Sequence, residues 1–182
     1  LSPAGRRHVV ESGLGGEVPR GGDRGAGVVA RVGDLHARGV VHRLAAALGV
    51  GRRGLLLLGV QGCGKSLAAK FVAREVRREK RYDGILLDPP KYGRGPDGEI
   101  WHLEQDLAPL IANCRKLLDA NSRFLFLTVY AVRMSALALG GLLQSHFADL
   151  PGKVEFGELA VREKSRGILL PTAIFARWSQ GE

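Results

Sequence analysis

Hydrophobic positions change their period several times along the chain, and each change marks an element. Leu55-Leu56-Leu57-Leu58 is a continuous apolar block running into Gly59, which predicts a buried strand over 55–59. A stretch free of Gly and Pro predicts a helix over 65–80, and Ile85-Leu86-Leu87 predicts a second buried strand over 84–88. A loop rich in Gly and Pro is expected from there to Trp101. Leu103, Leu107, Leu110, Ile111, Cys114, Leu117 and Leu118 then recur at helical spacing, the stripe of an amphipathic helix. Residues 124–130 read as another buried strand and 134–147 as a helix. Residues 153–161 and 168–178 read as two strands joined by the turn Glu163-Lys164-Ser165-Arg166-Gly167.

Strand and helix alternating before a hairpin indicate an α/β fold: a doubly wound, mainly parallel Rossmann-like sheet of about five strands with a C-terminal antiparallel hairpin. Residues 1–42 mix Gly, Arg and short Val pairs without a sustained period and are expected to be a linker or weakly ordered segment. Residues 43–182 are expected to form a single domain. Within it, 42–48 suggests a short helix ended by Gly49 and Gly51. A chain of 182 residues that is 45% hydrophobic can bury one core.

The chemistry gathers at two strand ends, where open α/β sheets bind ligands. After the first strand, Gly59-Val60-Gln61-Gly62-Cys63-Gly64-Lys65-Ser66 satisfies the spacing of a phosphate-binding loop, between a strand and a helix. Gly59, Gly62 and Gly64 would let successive backbone N–H groups turn toward phosphate oxygens. Lys65 would add a point charge and the Ser66 hydroxyl a magnesium ligand. After the second strand comes Asp88-Pro89-Pro90-Lys91-Tyr92. Two prolines fix φ and give up their N–H groups, so the Asp88 carboxylate and the carbonyl of Asp88 or Pro89 form a rigid acceptor corner for an amine or a base edge. A right-handed crossover would set the two strands side by side, so both motifs should line one crevice.

Residues 81–101, from Arg81-Tyr82-Asp83-Gly84 through Asp88-Pro89-Pro90-Lys91-Tyr92-Gly93-Arg94-Gly95-Pro96 to Trp101, together with residues 169–178, resemble the C-terminal half of class I S-adenosylmethionine-dependent methyltransferases of the ribosomal-RNA type. The likeness covers about residues 70–182. It implies S-adenosylmethionine as cofactor and RNA as partner. Asp88 and Pro89 would hold the methyl acceptor, Pro90 would rigidify the corner, and Lys91 or Tyr92 would border an extruded base. Arg94 would meet backbone phosphate and Tyr130, at a later strand end, would contact substrate. The glycine turn from Gly59 would stand in for the cofactor loop. The family's second and third strands, with their ribose and adenine acids, have no counterpart between that loop and Asp88. Without a thiol in the corner, a nitrogen acceptor is favoured over carbon; Cys63 has a weak claim to that role and Cys114 lies on the apolar stripe.

The segment over about 43–70 is instead similar to AAA-type ATPases, which implies Mg-ATP as an alternative ligand. Pro89 stands where their catalytic Glu belongs, so binding without hydrolysis is that alternative's form. A third reading is an inactive hybrid of two pieces joined near Ala68-Ala69-Lys70.

Charge and composition refine the partners. The net charge is +9, and it is uneven: residues 1–81 carry sixteen Lys/Arg against six Asp/Glu, the rest eleven against twelve. A basic N-terminal half favours RNA through counterion release or is simply a solvated tail. With 6% aromatic residues there is no visible stacking platform. No apolar run reaches a membrane-spanning length, and Leu1-Ser2-Pro3-Ala4-Gly5-Arg6-Arg7 lacks the apolar core of a secretory signal. Two cysteines are too few for a disulfide framework or a zinc site, so no metal is assigned and a cytoplasmic location is expected.

Overall fold

A computed structural model of the chain describes residues 29–30, 54–58, 65–94 and 98–180, the side chains of 29–30, 55–58 and 65–68 excepted. Their elements are β1 (Val29–Ala30), β2 (Leu55–Leu58), α1 (Lys65–Arg77), β3 (Gly84–Leu87), β4 (Tyr92–Arg94), β5 (Ile100–His102), α2 (Leu103–Arg115), β6 (Phe124–Val129), α3 (Ala136–Phe147), β7 (Lys153–Arg162) and β8 (Leu169–Ser179). One mixed sheet has the strand order β1-β2-β3-β6-β8-β7. Its first four strands are parallel, while β8 runs antiparallel to both β6 and β7. The expected short helix over 42–48 lies outside the described residues.

Local chemistry explains where the elements stop. Helix α1 ends three residues earlier than its pattern predicts because Glu79 takes a left-handed φ of 53°. The chain then folds back, and the Glu75 carbonyl accepts from Lys80 N at 3.1 Å. Helix α3 is started by Ser135, whose hydroxyl accepts from Ala138 N. Two features depart from the sequence expectations. Val29–Ala30 pairs with Leu56–Leu57 although its surroundings carry no strand period. The expected loop before Trp101 contains a small antiparallel hairpin, β4 with β5, in which Gly93 and Trp101 are buried partners. Gly98, at φ 85°, lies in the reversal between them.

Buried and half-buried positions alternate along the strands. Ile85, Leu87, Leu125, Leu127 and Val129 are buried, while Leu86, Phe126 and Thr128 between them are only half-buried. The buried set joins Leu103, Leu107 and Ile111 of α2, Leu139 and Leu143 of α3, and Trp178 of β8 in one core. Helix α2 touches α1 on one side and α3 on the other, and α3 rests on β7 and β8. Gly140 permits that last contact, since a Cβ there would lie 2.2 Å from the Phe156 ring. Among the described residues the helices therefore form one continuous layer. The second layer that a doubly wound sheet implies is not among them.

Candidate functional site

Parallel pairing brings the predicted strand ends together. Leu58 is the partner of Leu87, and Leu87 of Leu127, so β2, β3 and β6 finish along one rim of the sheet. The residue after Leu87 is Asp88. By strand alternation it faces away from the helical layer, on the same side as Thr128. The Thr128 hydroxyl donates to Asp88 Oδ1 at 2.8 Å. Although Asp88 is exposed, its carboxyl is held above the ordinary carboxylate range. Protein on one side of the group costs the charged form part of its hydration, and the bond from Thr128 returns only some of that.

The double-proline corner is braced from behind. The Pro90 carbonyl accepts the Trp101 indole N–H at 2.7 Å, and the Lys91 carbonyl accepts Leu103 N at 3.0 Å. These two carbonyls point into the fold. Any acceptor function of the corner falls to the Asp88 carboxylate and the carbonyls of Asp88 and Pro89. Glu99, just before β5, pairs with Lys70 of α1, which ties the small hairpin to the neighbouring helix.

The other predicted residues take less uniform places. Pro89 is buried, Pro90 half-buried, and the side chains of Lys91, Tyr92 and Arg94 are exposed. The Tyr92 ring meets His102 edge to face at a centroid distance of 5.1 Å. Arg94 is held opposite Ile100 in the hairpin. Tyr130 follows β6 directly and is half-buried, beside Ala131 in a left-handed turn at φ 54°. Gly59, Gly62 and Gly64 lie outside the described residues. Lys65 and Ser66 are the first two residues of α1, and the connection from Leu58 to Lys65 leaves β2 at the same rim as Asp88.

Two contributors were not singled out by sequence reasoning. Thr128 had a signal: it is the lone hydroxyl in the otherwise apolar strand Phe124-Leu125-Phe126-Leu127-Thr128-Val129. Trp101 closes the resembling run in the sequence without a role of its own; in the structure its ring is buried and its N–H fixes the corner. Cys114 is buried in the core, where burial pushes its thiol up to about 12. It is no nucleophile. Among the described residues no three His, Cys, Asp or Glu side chains gather as a metal site, and no helix is long and apolar enough to cross a membrane.

No family model matches the chain, and no curated protein matches it closely. Among solved structures it is similar to the SAM-dependent methyltransferase from Agrobacterium tumefaciens, with 38% identity and a TM-score of 0.60. That match covers 65% of this chain and 39% of the other. The chain thus spans about two fifths of that enzyme's length. A candidate SAM-dependent methyltransferase from Streptococcus mutans matches at 15% identity and a TM-score of 0.45, over 75% of this chain and 41% of its own. The second likeness is too low to add weight. The first supports a mixed α/β sheet of the kind found in SAM-dependent methyltransferases.

Proposed function

We propose that this chain carries the acceptor-side part of an S-adenosylmethionine-dependent methyltransferase acting on a nitrogen of an RNA base. The observation that carries the reading is the Asp88-Pro89-Pro90 corner. It opens at the carboxyl end of β3, bonded to Thr128 of β6 and beside the strand that runs into the glycine turn. The likeness to the Agrobacterium enzyme supports the same reaction class and, with it, the cofactor. When bound, S-adenosylmethionine would supply a methyl group on a sulfonium centre, the S–CH3 bond giving way as the acceptor N–C bond forms and its electron pair staying on the departing thioether. The connection from β2 to α1 suits it, because its glycines permit a tight turn into a helix N-terminus at the correct rim.

Everything else in the reaction is positioning. The Asp88 carboxylate and the adjoining carbonyls accept the N–H groups of the base and so aim the nitrogen lone pair. Thr128 fixes the rotamer of the carboxylate, and Trp101 keeps the corner from yielding. Lys91 and Tyr92 flank the approach, and Arg94 offers charge to a phosphate. The base nitrogen gives up its proton to solvent once the new N–C bond has formed.

Calorimetric titration of the chain with S-adenosylmethionine is the direct test, followed by transfer of a tritiated methyl group to ribosomal RNA. Saturable heat and acid-insoluble label in RNA are expected. A chain that binds neither S-adenosylmethionine nor its demethylated product refutes the proposal.

A further inference from the structure

The antiparallel pair at the end of the sheet is longer than its support. Strand β8 begins at Leu169, but its first partner on β6 is Ile174, opposite Val129. Among the described residues, the five from Leu169 to Ala173 therefore run past the end of β6 with only β7 paired beside them. At about 3.3 Å per residue this is an arm about 16 Å long. Its direction is fixed by topology. Because β8 is antiparallel to β6, the arm leaves the sheet at the rim that carries Asp88, two strand spacings, about 10 Å, to the side.

The arm is stiff. Where it leaves the sheet, Leu159 pairs with Ala173 but Ala160 with Pro171, so Thr172 is an extra residue in the ladder. Its hydroxyl donates to the Leu159 carbonyl at 3.1 Å, next to Pro171, which has no N–H to give. At the tip, Glu163 N donates to the Ile168 carbonyl and Gly167 N to the Glu163 carbonyl. The Glu163 carboxylate is satisfied within the turn by Ser165 Oγ and Arg166 Nε, and these hydrogen bonds hold its pKa below the ordinary value.

The surface it presents is basic and partly apolar. Arg162, Lys164 and Arg166 outnumber the single acid Glu163, whose oxygens are turned to Ser165 and Arg166. Val161 and Leu170 are cross-strand partners and remain 49% and 57% exposed. An arm holding cations at its tip and bare aliphatic side chains along one face, beside a corner that accepts base N–H groups, matches a nucleic-acid strand. Phosphates would meet the cations, and sugar and base edges the aliphatic pair. We infer that the β7–β8 arm, residues 160–172, is a second RNA contact that grips the backbone flanking the nucleotide presented to Asp88. The inference rests on the methyltransferase reading and deepens it by naming the surface that holds the acceptor strand.

The test uses the full chain and a fluorescein-labelled single-stranded oligouridylate, with anisotropy followed across a salt series and S-adenosylmethionine binding measured in parallel. The double variant K164Q/R166Q is expected to weaken RNA binding roughly tenfold at constant salt. It should also flatten the plot of log affinity against log salt by about 1.4, the contribution of two phosphate contacts on a single strand. A photoreactive benzoylphenylalanine at Leu170 should cross-link to the RNA. An unchanged slope, or cross-links only between two copies of the chain, overturns the arm as an RNA contact. If S-adenosylmethionine binding persists in that case, the methyltransferase reading survives it. If the unaltered chain binds no S-adenosylmethionine, that reading fails, whatever the arm does.

Discussion

Strand β3 has an aspartate at each end, and the two live in opposite circumstances. Asp83, at the amino end, is buried and accepts the Gly54 N–H on its carboxylate at 3.0 Å. Its own backbone bonds to Gly54 and Arg123 on the flanking segments, and Ser122 nearby closes the web by donating to the Tyr82 carbonyl. Asp88, at the carboxyl end, is exposed and takes a hydrogen bond from Thr128. One residue type thus fastens three segments at one end of a four-residue strand and faces outward at the other. A parallel sheet closes its amino end with backbone and leaves its carboxyl end for chemistry.

Four measurements would sharpen or break that contrast. Asp88→Asn should lower methyl transfer by roughly 10²-fold, because the acceptor is no longer aimed. Thermal stability should shift by no more than about 0.5 kcal/mol, as for an exposed site. A large loss of stability instead would make Asp88 a second Asp83. Asp83→Ala should do the reverse: leaving the Gly54 N–H buried without its acceptor costs about 1–3 kcal/mol, visible in urea melts. Binding of S-adenosylmethionine per folded molecule should be unchanged.

Thr128→Val keeps the strand and removes the donor to Asp88, for an expected fall of roughly tenfold in kcat, equivalent to about 1.4 kcal/mol. The Thr128 bond lowers the Asp88 pKa, which burial raises. Removing it should move the acidic limb of the activity profile to higher pH; an unmoved limb would show that Thr128 does not act through the carboxylate. The smallest effect belongs to Glu155, away from both ends and paired with Arg177 across β7 and β8. Its pKa is held below the ordinary range chiefly by that hydrogen bond, so the pair stabilises the fold above the ordinary carboxylate range and is lost as pH falls through the lowered value. Glu155→Gln should cost at most about 1 kcal/mol at neutral pH, and the difference should vanish in acid.

Periodicity made the strands and helices of the C-terminal part legible, since each buries one regular face. The run from Leu103 to Cys114 became α2, and Leu117 and Leu118 follow its end with their side chains in the same core. The β4–β5 hairpin was invisible because its strands have three residues each and alternate around a single glycine and a single tryptophan. For the site, Asp88 was legible because prolines mark their corner by sequence alone. What fixes the corner was not. Trp101 and Thr128 reach it from 11 and 40 residues away, and such contacts exist only once register is set.

Gly140 supports the rest of this picture from a distance. With no side chain there, α3 lies against Phe156, in the strand whose far end becomes the arm. A methyl group at that position would press on the Phe156 ring, so that α3 or the strand beneath it would have to give way. How closely a helix may approach the β7–β8 pair is thus decided by a position that has no side chain at all.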